Sequence, residues 1–254
     1  MQLKACGKTD KGLCRSTNED HFSIFEDPIV LIVADGMGGH AAGEIASQIA
    51  VDTTFDQIKK FYISAQKVFE VFDPKLSEEA MQLSAAIRAA NQAIFLAAQD
   101  NKAWRGMGST IAAAWVTSPE RALIAHVGDS RIYLVRDKTI HQITRDHSIT
   151  GEQIQQGLIT QEEARNSWIN NLITRALGQR QEVEVDVAEL SLQSGDILLL
   201  CTDGLHSMVS DEEIVAIVSQ EKELAEKCDM LIELGNQNGG RDNMAVILAQ
   251  SQQP

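Results

Sequence analysis

PIVLIVADGMGGHAAGE, Pro28 to Glu44, decides how the rest of the chain is read. Ile29 to Ala34 is short, β-branched and uninterrupted by polar residues, the pattern of a strand buried on both faces. Asp35 stands at the end of that run, where burial gives way to a crevice. Gly36, Gly38 and Gly39 then allow close backbone approaches, and a helical pattern begins near Gly43. A carboxylate mounted on a strand, turn and helix junction predicts a small polar ligand held there.

Two kinds of site use such a junction. Gly36, Gly38 and Ala41 fit the loose dinucleotide pattern G-x-G-x-x-G/A, but Asp35 would set a negative charge beside the pyrophosphate. The chain from Phe61 to Ala65 moreover runs towards another helix, not towards a strand ending in a ribose-binding acid. A carboxylate on a glycine turn suits a hard cation better.

The 254 residues are 44% hydrophobic with only 4 prolines, which predicts one globular domain, 1–254, without a linker. A formal charge of −14 is unsuited to nucleic acid, which selects clustered Lys and Arg. Cys6, Cys14, Cys201 and Cys228 form no C-x-x-C pair, so neither a zinc knuckle nor a thioredoxin-type motif is supported. Met1 to Asp10 does not read as a secretory signal, and no apolar run approaches membrane-spanning length. Free thiols in a reducing cytoplasm are expected, with no membrane partner and a monomeric chain.

Around the opening stretch, Gln2 to Gly7 and His21 to Glu26 read as strands flanking a polar turn, Arg15 to Asp20. Apolar residues at helical spacing predict helices over Gly43 to Phe61 and Ser77 to Asn101. Met107 to Ser118, Arg121 to Val127, Arg131 to Arg136 and Thr139 to Thr144 read as consecutive antiparallel strands. His147 to Asn171 is polar, with two short helical patterns around Trp168, and is long for a connection; it predicts a flap or recognition segment over 147–171. Val183 to Leu190 and Ile197 to Cys201 return to strand, helices follow at Asp211 to Val218 and Glu221 to Asn236, and Met244 to Ala249 is a last strand.

Asp35, Asp129, Asp203 and Asp242 all occupy glycine-flanked strand ends, and Glu19 and Asp20 lie in a turn able to join them. Two carboxylates about 4 Å apart repel by roughly 4 kcal/mol at an effective dielectric of 20. If they converge, divalent cations remove that cost, and all-oxygen ligation favours magnesium or manganese. Paired cations suit phosphoryl hydrolysis. Rival phosphatase chemistries leave no trace: no cysteine starts a C-x5-R loop, a D-x-D nucleophile would need an acid where Met37 stands, Gly128-Asp129 lacks the histidine of G-D-x-H, and there is no G-x-x-x-x-G-K-[ST] loop.

Arg15-x-x-Asn18-Glu19-Asp20, Ala34-Asp35-Gly36-Met37-Gly38-Gly39-His40, Val127-Gly128-Asp129-Ser130-Arg131, Thr202-Asp203-Gly204 and Gly240-Arg241-Asp242-Asn243 resemble, in order, the motifs of the metal-dependent protein phosphatases, the protein phosphatase 2C family, in its bacterial single-domain form. The resemblance implies an α+β fold, a four-layer α-β-β-α sandwich of two antiparallel sheets flanked by helix pairs, with the metal centre at one end between the sheets. It implies hydrolysis of phosphoserine and phosphothreonine in proteins by a metal-bridging water or hydroxide. Phosphoproteins and an opposing Ser/Thr protein kinase would be its partners in a signalling circuit.

Carried over by motif, Asp35 bridges two core Mn²⁺ or Mg²⁺ ions, Asp203 and Asp242 complete one site and the Gly36 carbonyl serves the other. Glu19 acts through metal-bound water with Asp20 in support, Asp129 with Asp203 resembles the ligands of a third ion, and Asn243 orients Asp242 or holds a metal water. Arg15 resembles the phosphate-binding arginine, and His40 is the candidate for protonating the leaving alkoxide. The family's eukaryotic members place a histidine directly after Asp-Gly, where this chain has Met37, so the general acid stays open. His21, His126, His141 and His206 read as structural or surface residues; His147 begins the suspected flap, and Asp146 precedes it in a D-H pair that also resembles the family. The alternative is a catalytically silent phosphoprotein-binding module of the same fold, which would be expected to have lost metal acids; this chain retains them.

Overall fold

The computed structural model describes residues 2–38, 41–64, 75–160, 163 and 172–252. Eleven strands among these residues form two antiparallel sheets. The first sheet has the order β1 (Gln2–Asp10), β11 (Met244–Gln252), β10 (Ile197–Cys201), β7 (Arg131–Arg136) and β8 (Thr139–Gln142). The second has the order β2 (Asp20–Glu26), β3 (Ile29–Met37), β5 (Ile111–Ser118), β6 (Arg121–Val127) and β9 (Asp186–Ser191), with the short β4 (Gly108–Ser109) added to the far end of β3.

Alternation along the strands explains the layering. On β3, Val30, Ile32 and Ala34 face α1 (Ala41–Ser64) and α2 (Glu78–Asp100), whereas Leu31 and Val33 face the other sheet. On β11, Met244, Val246 and Leu248 face α4 (Asp203–His206), α5 (Asp211–Val218) and α6 (Leu224–Gln237), while Ile247 and Ala249 point inward. Helices, sheet, sheet and helices are thus separated by three apolar seams, the four-layer arrangement expected. Each side chain fully buried in such a seam contributes about 1.5–3 kcal/mol, which is why Val30 to Ala34 can be apolar throughout.

Local signals fix the boundaries. Ser77 caps α2 by accepting the Ala80 N–H, and Ser210 with Glu213 forms a reciprocal capping box on α5. Asp137 and Lys138 both take positive φ, +51° and +61°, as a two-residue hairpin turn between β7 and β8 requires. α3 (Ile149–Gln155), capped by Ser148, opens the segment expected to be a flap. The rest of that segment lies partly outside the described residues, with Trp168 among those not described. Among the described residues no helix is long and apolar enough to cross a membrane.

Antiparallel pairing carries distant acids to one end of the sandwich. Asp20, at the start of β2, pairs with Asp35 near the end of β3. Met244, at the start of β11, pairs with Asp10 at the end of β1, so Asp242 arrives at the same edge. Cys201 ends β10 opposite Val246 and Arg131, which brings Asp203 and the Gly128–Ser130 turn there as well.

Candidate metal centre

The opening stretch differs from expectation in one respect: Asp35 does not end its strand. β3 runs on to Met37 because Gly36 and Met37 pair with Ser109 and Gly108 of β4. Thr110 explains the continuation: its hydroxyl accepts the Asp35 N–H at 3.0 Å, its own N–H donates to the Asp35 carbonyl at 2.9 Å, and Ser109 Oγ donates to that carbonyl at 3.0 Å. Asp35 is therefore set on a backbone tied on both sides before its side chain enters the crevice.

Asp20, Asp35, Asp129 and Asp203 converge. The carboxyls of Asp35 and Asp203 lie within hydrogen-bonding reach of one another, as do those of Asp35 and Asp20. Burial first, and then the neighbouring charges, hold all four well above or above the ordinary carboxylate range: Asp203 and Asp242 act on Asp20, Asp20 and Asp203 on Asp35, Asp203 and Asp146 on Asp129, and Asp242 on Asp203. Asp20 Oδ2 accepts the Thr202 hydroxyl at 2.7 Å, and Thr202 Oγ1 accepts the Ala245 N–H at 2.8 Å. The second oxygen of Asp20, with one oxygen each of Asp129 and Asp203, is buried without a hydrogen-bond partner. Hard oxygen donors in this state fit divalent cations, which would supply the missing contacts and neutralise the repulsion.

Asp242 accepts Arg15 Nη2 at 2.6 Å, and the Arg15 side chain is 56% exposed, so the guanidinium faces both the acids and solvent. Asn243 orients Asp242 by a backbone N–H to Oδ1 at 2.8 Å. Its side chain also secures a loop: Nδ2 donates to the carbonyls of Lys11 and Thr17, both at 2.9 Å, and Oδ1 accepts the Glu19 N–H at 2.8 Å. The loop carrying Arg15 and Glu19 is thereby fastened to the entrance of β11. Glu19 reaches α1 at Gly43, where a Cβ would collide with its carboxylate, and its carbonyl accepts Gly36 N–H at 3.1 Å and Ser47 Oγ at 2.6 Å. Gly36 is confined for a related reason, since its own Cβ would strike the Gly43 and Glu19 carbonyls.

A second polar group borders the acids. Arg131 clamps Asp146 with Nε to Oδ1 at 2.9 Å and Nη2 to Oδ2 at 2.7 Å, which holds the Asp146 carboxyl below its usual range despite burial. His206, its pKa pushed down to about 3 by burial and by Arg131, is neutral at pH 7 and donates Nε2–H to the Asp129 carbonyl at 3.0 Å. His126 is likewise buried and neutral, with its pKa lowered to about 4. These placements match the structural roles expected for His126 and His206.

The structure thus brings together Glu19, Asp20, Asp35, Asp129, Asp203, Asp242 and Arg15. His40, with Gly39, lies outside the described residues. Thr110 and Thr202 are supporting residues that sequence reasoning missed, whereas Asn243 orients Asp242 as expected and also fastens the Arg15–Glu19 loop.

Comparison with known proteins shows the family. The family description of protein phosphatase 2C matches residues 15–249. The chain is 40% identical over 247 residues to a serine/threonine phosphatase stp of Listeria welshimeri, covering 96% of this chain and 94% of that protein. The fold superimposes on the Mycobacterium tuberculosis serine/threonine phosphatase PstP/Ppp with a TM-score of 0.85 at 36% identity, covering 99% of both chains. It also superimposes on the catalytic domain of PstP in complex with 2 manganese ions, with a TM-score of 0.83 at 36% identity and 99% coverage of both chains. A continuous match from the Arg15 turn to the last strand, together with the convergent acids, places the chain in the protein phosphatase 2C family of metal-dependent serine/threonine phosphatases.

Proposed function

We propose that this chain removes phosphate from phosphoserine and phosphothreonine of proteins at the acidic end of the sandwich, with Mn²⁺ or Mg²⁺ bound there. The observation that carries the reading is the set of buried, partnerless oxygens on Asp20, Asp129 and Asp203 around Asp35. In this reading Asp35, Asp203, Asp242 and the Gly36 carbonyl would hold the two core ions. Glu19 and Asp20 form the outer layer, and Asp129 joins Asp203 at a third ion. When bound, the cations neutralise phosphoryl charge and acidify water.

The chain's own groups do the rest. Arg15, half free of Asp242, offers its guanidinium fork to the phosphoryl dianion and sets its distance from the acids. His40, from its place in the motif, is the proposed donor of a proton to the departing serine or threonine oxygen. The domain is taken as 1–254, with 147–171 as a flap; support comes from the joined bases of that segment, where Thr174 N–H donates to the His147 carbonyl at 2.8 Å. A cytoplasmic location is supported by the four free cysteines, and phosphoserine or phosphothreonine substrates would make a Ser/Thr protein kinase the counterpart in a signalling circuit.

Chelation should abolish hydrolysis of a phosphothreonine peptide, and added manganese should restore it. Asp35→Ala should remove activity while leaving a folded protein. Undiminished turnover by either the chelated enzyme or the Asp35→Ala protein would overturn the assignment.

A further inference from the structure

His126, His147 and Asp186 bring two imidazoles and a carboxylate close enough together to resemble a further cation site. Their hydrogen bonds point elsewhere. His147 Nδ1 accepts the Gly128 N–H at 3.0 Å, so a neutral ring carries its proton on Nε2 and keeps no lone pair for a metal. Arg175 Nη1 lies 3.1 Å from that Nε2, yet its two hydrogens already have acceptors: Asp186 Oδ1 at 2.6 Å and the Glu184 carbonyl at 3.3 Å. Nε2–H is left to face Asp186 Oδ2 at 3.4 Å. The cluster therefore orders one tautomer of His147, and the fixed charge of Arg175 occupies the ground a cation would need.

That tautomer acts on the site already described. Gly128 takes φ +105°, and a Cβ there would press on Thr110, whose hydroxyl pairs with Ser130 at 2.7 Å and with the Asp35 N–H. One side of the Gly128–Asp129–Ser130 turn is thus held by Thr110. The other is held by His147 alone among the hydrogen bonds described for Gly128: ring Nδ1 takes the Gly128 N–H, and the His147 N–H donates to the Gly128 carbonyl at 3.0 Å. His147 is also where the segment from Ser148 leaves and returns. Ser148 bridges Ile173, Ile149 N–H donates to Leu172 O at 3.0 Å, and the His147 carbonyl takes Thr174 N–H. Stacking on His126, with centroids 4.6 Å apart and an interplanar angle of 17°, fixes the plane of the ring.

We propose that the Gly128 N–H at Nδ1 and Asp186 facing Nε2–H, with Asp186 itself held by Arg175, fix His147 as its Nε2–H tautomer, and that His147 in this form is a positioning residue that holds the Gly128–Asp129 peptide and so aims the Asp129 carboxylate. The inference rests on the reading of Asp129 as a cation ligand. It adds the group that sets that ligand and ties it to the base of the 148–173 segment.

The test begins on the metal-free protein. Long-range ¹H–¹⁵N spectra should show His147 protonated at Nε2 and bare at Nδ1; an Nδ1–H ring, or a mixture of tautomers, overturns the proposal. His147→Ala should speed exchange of the Gly128 amide about tenfold or more, while His147→Asn, whose Oδ1 stands where Nδ1 did, should restore the native rate. Titration with manganese chloride should show the weakest binding step loosened about 10–100-fold in His147→Ala with the tight steps kept. An unchanged weak step in a folded variant overturns the proposal. If His147→Ala does not fold, Asp186→Ala keeps the ring but takes away the acceptor facing Nε2–H and should speed exchange of the Gly128 amide and loosen the weakest manganese step; native exchange and native weak binding in that variant overturn the proposal. Native protein that binds manganese but fails to hydrolyse phosphopeptide would defeat the phosphatase reading and leave the spectra and titration to decide this one.

Discussion

Replacing Asp35 by Asn should make the protein more stable than the native chain without metal and less stable than it with metal. Asp35 sits within reach of the carboxyls of Asp20 and Asp203 and close to Asp129, and all four resist ionisation in the fold. Two ionised carboxylates about 4 Å apart cost about 4 kcal/mol at an effective dielectric of 20, and one proton shared across the pair leaves about 2 kcal/mol unrelieved. Asp35→Asn removes that share and offers its amide to the neighbours. At about 2–4 °C per kcal/mol for a chain of this size, the variant should melt about 4–8 °C above the native protein in excess chelator. With free manganese at about 100 times its dissociation constant, the native protein gains about 2.7 kcal/mol for one such ion, and the variant gains much less. The two melting curves should therefore cross when chelator is exchanged for manganese in differential scanning calorimetry.

Proton linkage gives the same perturbation a second signature. The folded-state pKa values of these acids lie above the unfolded value of 3.8, so the metal-free fold binds more protons than the unfolded chain. Its stability from these groups is full below 3.8 and is lost as pH rises through the folded values. Asp35→Asn should flatten that fall. A variant that melts below the native protein in both chelator and manganese would show that Asp35 serves the fold itself, and the electrostatic reasoning would be refuted.

Arg15→Ala should lower kcat/KM for a phosphopeptide about 10–150-fold, the loss of a charge-assisted contact of about 1.5–3 kcal/mol, with folding unaffected because the side chain is 56% exposed; steady-state kinetics checks this. Thr202→Val leaves Asp20 Oδ2 and the Ala245 N–H without their shared hydroxyl and should cost about 1–3 kcal/mol in urea unfolding. Gly43→Ala improves helix propensity by about 1 kcal/mol but puts a methyl where the Glu19 carboxylate lies and 3.0 Å from the Gly36 backbone, so melting temperature should not rise and manganese affinity, by calorimetry, should fall.

Much of the fold was legible because its signals are local. β6, β7, β10 and α5 fall on the residues expected, since each is an apolar or alternating run closed by turn residues such as Pro119 or Asp137, or by the cap Ser210. β4 was hidden inside an expected strand from Met107, because the break at Thr110 arises from a hydroxyl spent on a backbone 75 positions away. β9 starts at Asp186 rather than Val183, and α6 at Leu224 rather than Glu221; neither shift has a local marker. Asp35, Asp129 and Asp203 could be nominated because each stands beside a glycine near a strand end, and the motifs that carry all the acids follow one another in order. Their supports could not be: Thr202 meets Asp20 across 182 positions, and Asn243 reaches Glu19 across 224, so no spacing in the sequence records the pair.

β11 lies inside its sheet, between β1 and β10, although it is the last strand of the chain, and the clamp at Asn243 enters with it. During synthesis the first strands leave the ribosome well before their partner exists, so a nascent chain can hold β2, β3 and the helix pair together yet lack the piece that seats Arg15 beside Asp242. The seat of Arg15 beside Asp242 is thereby completed only when residues 242–252 have joined the sheet.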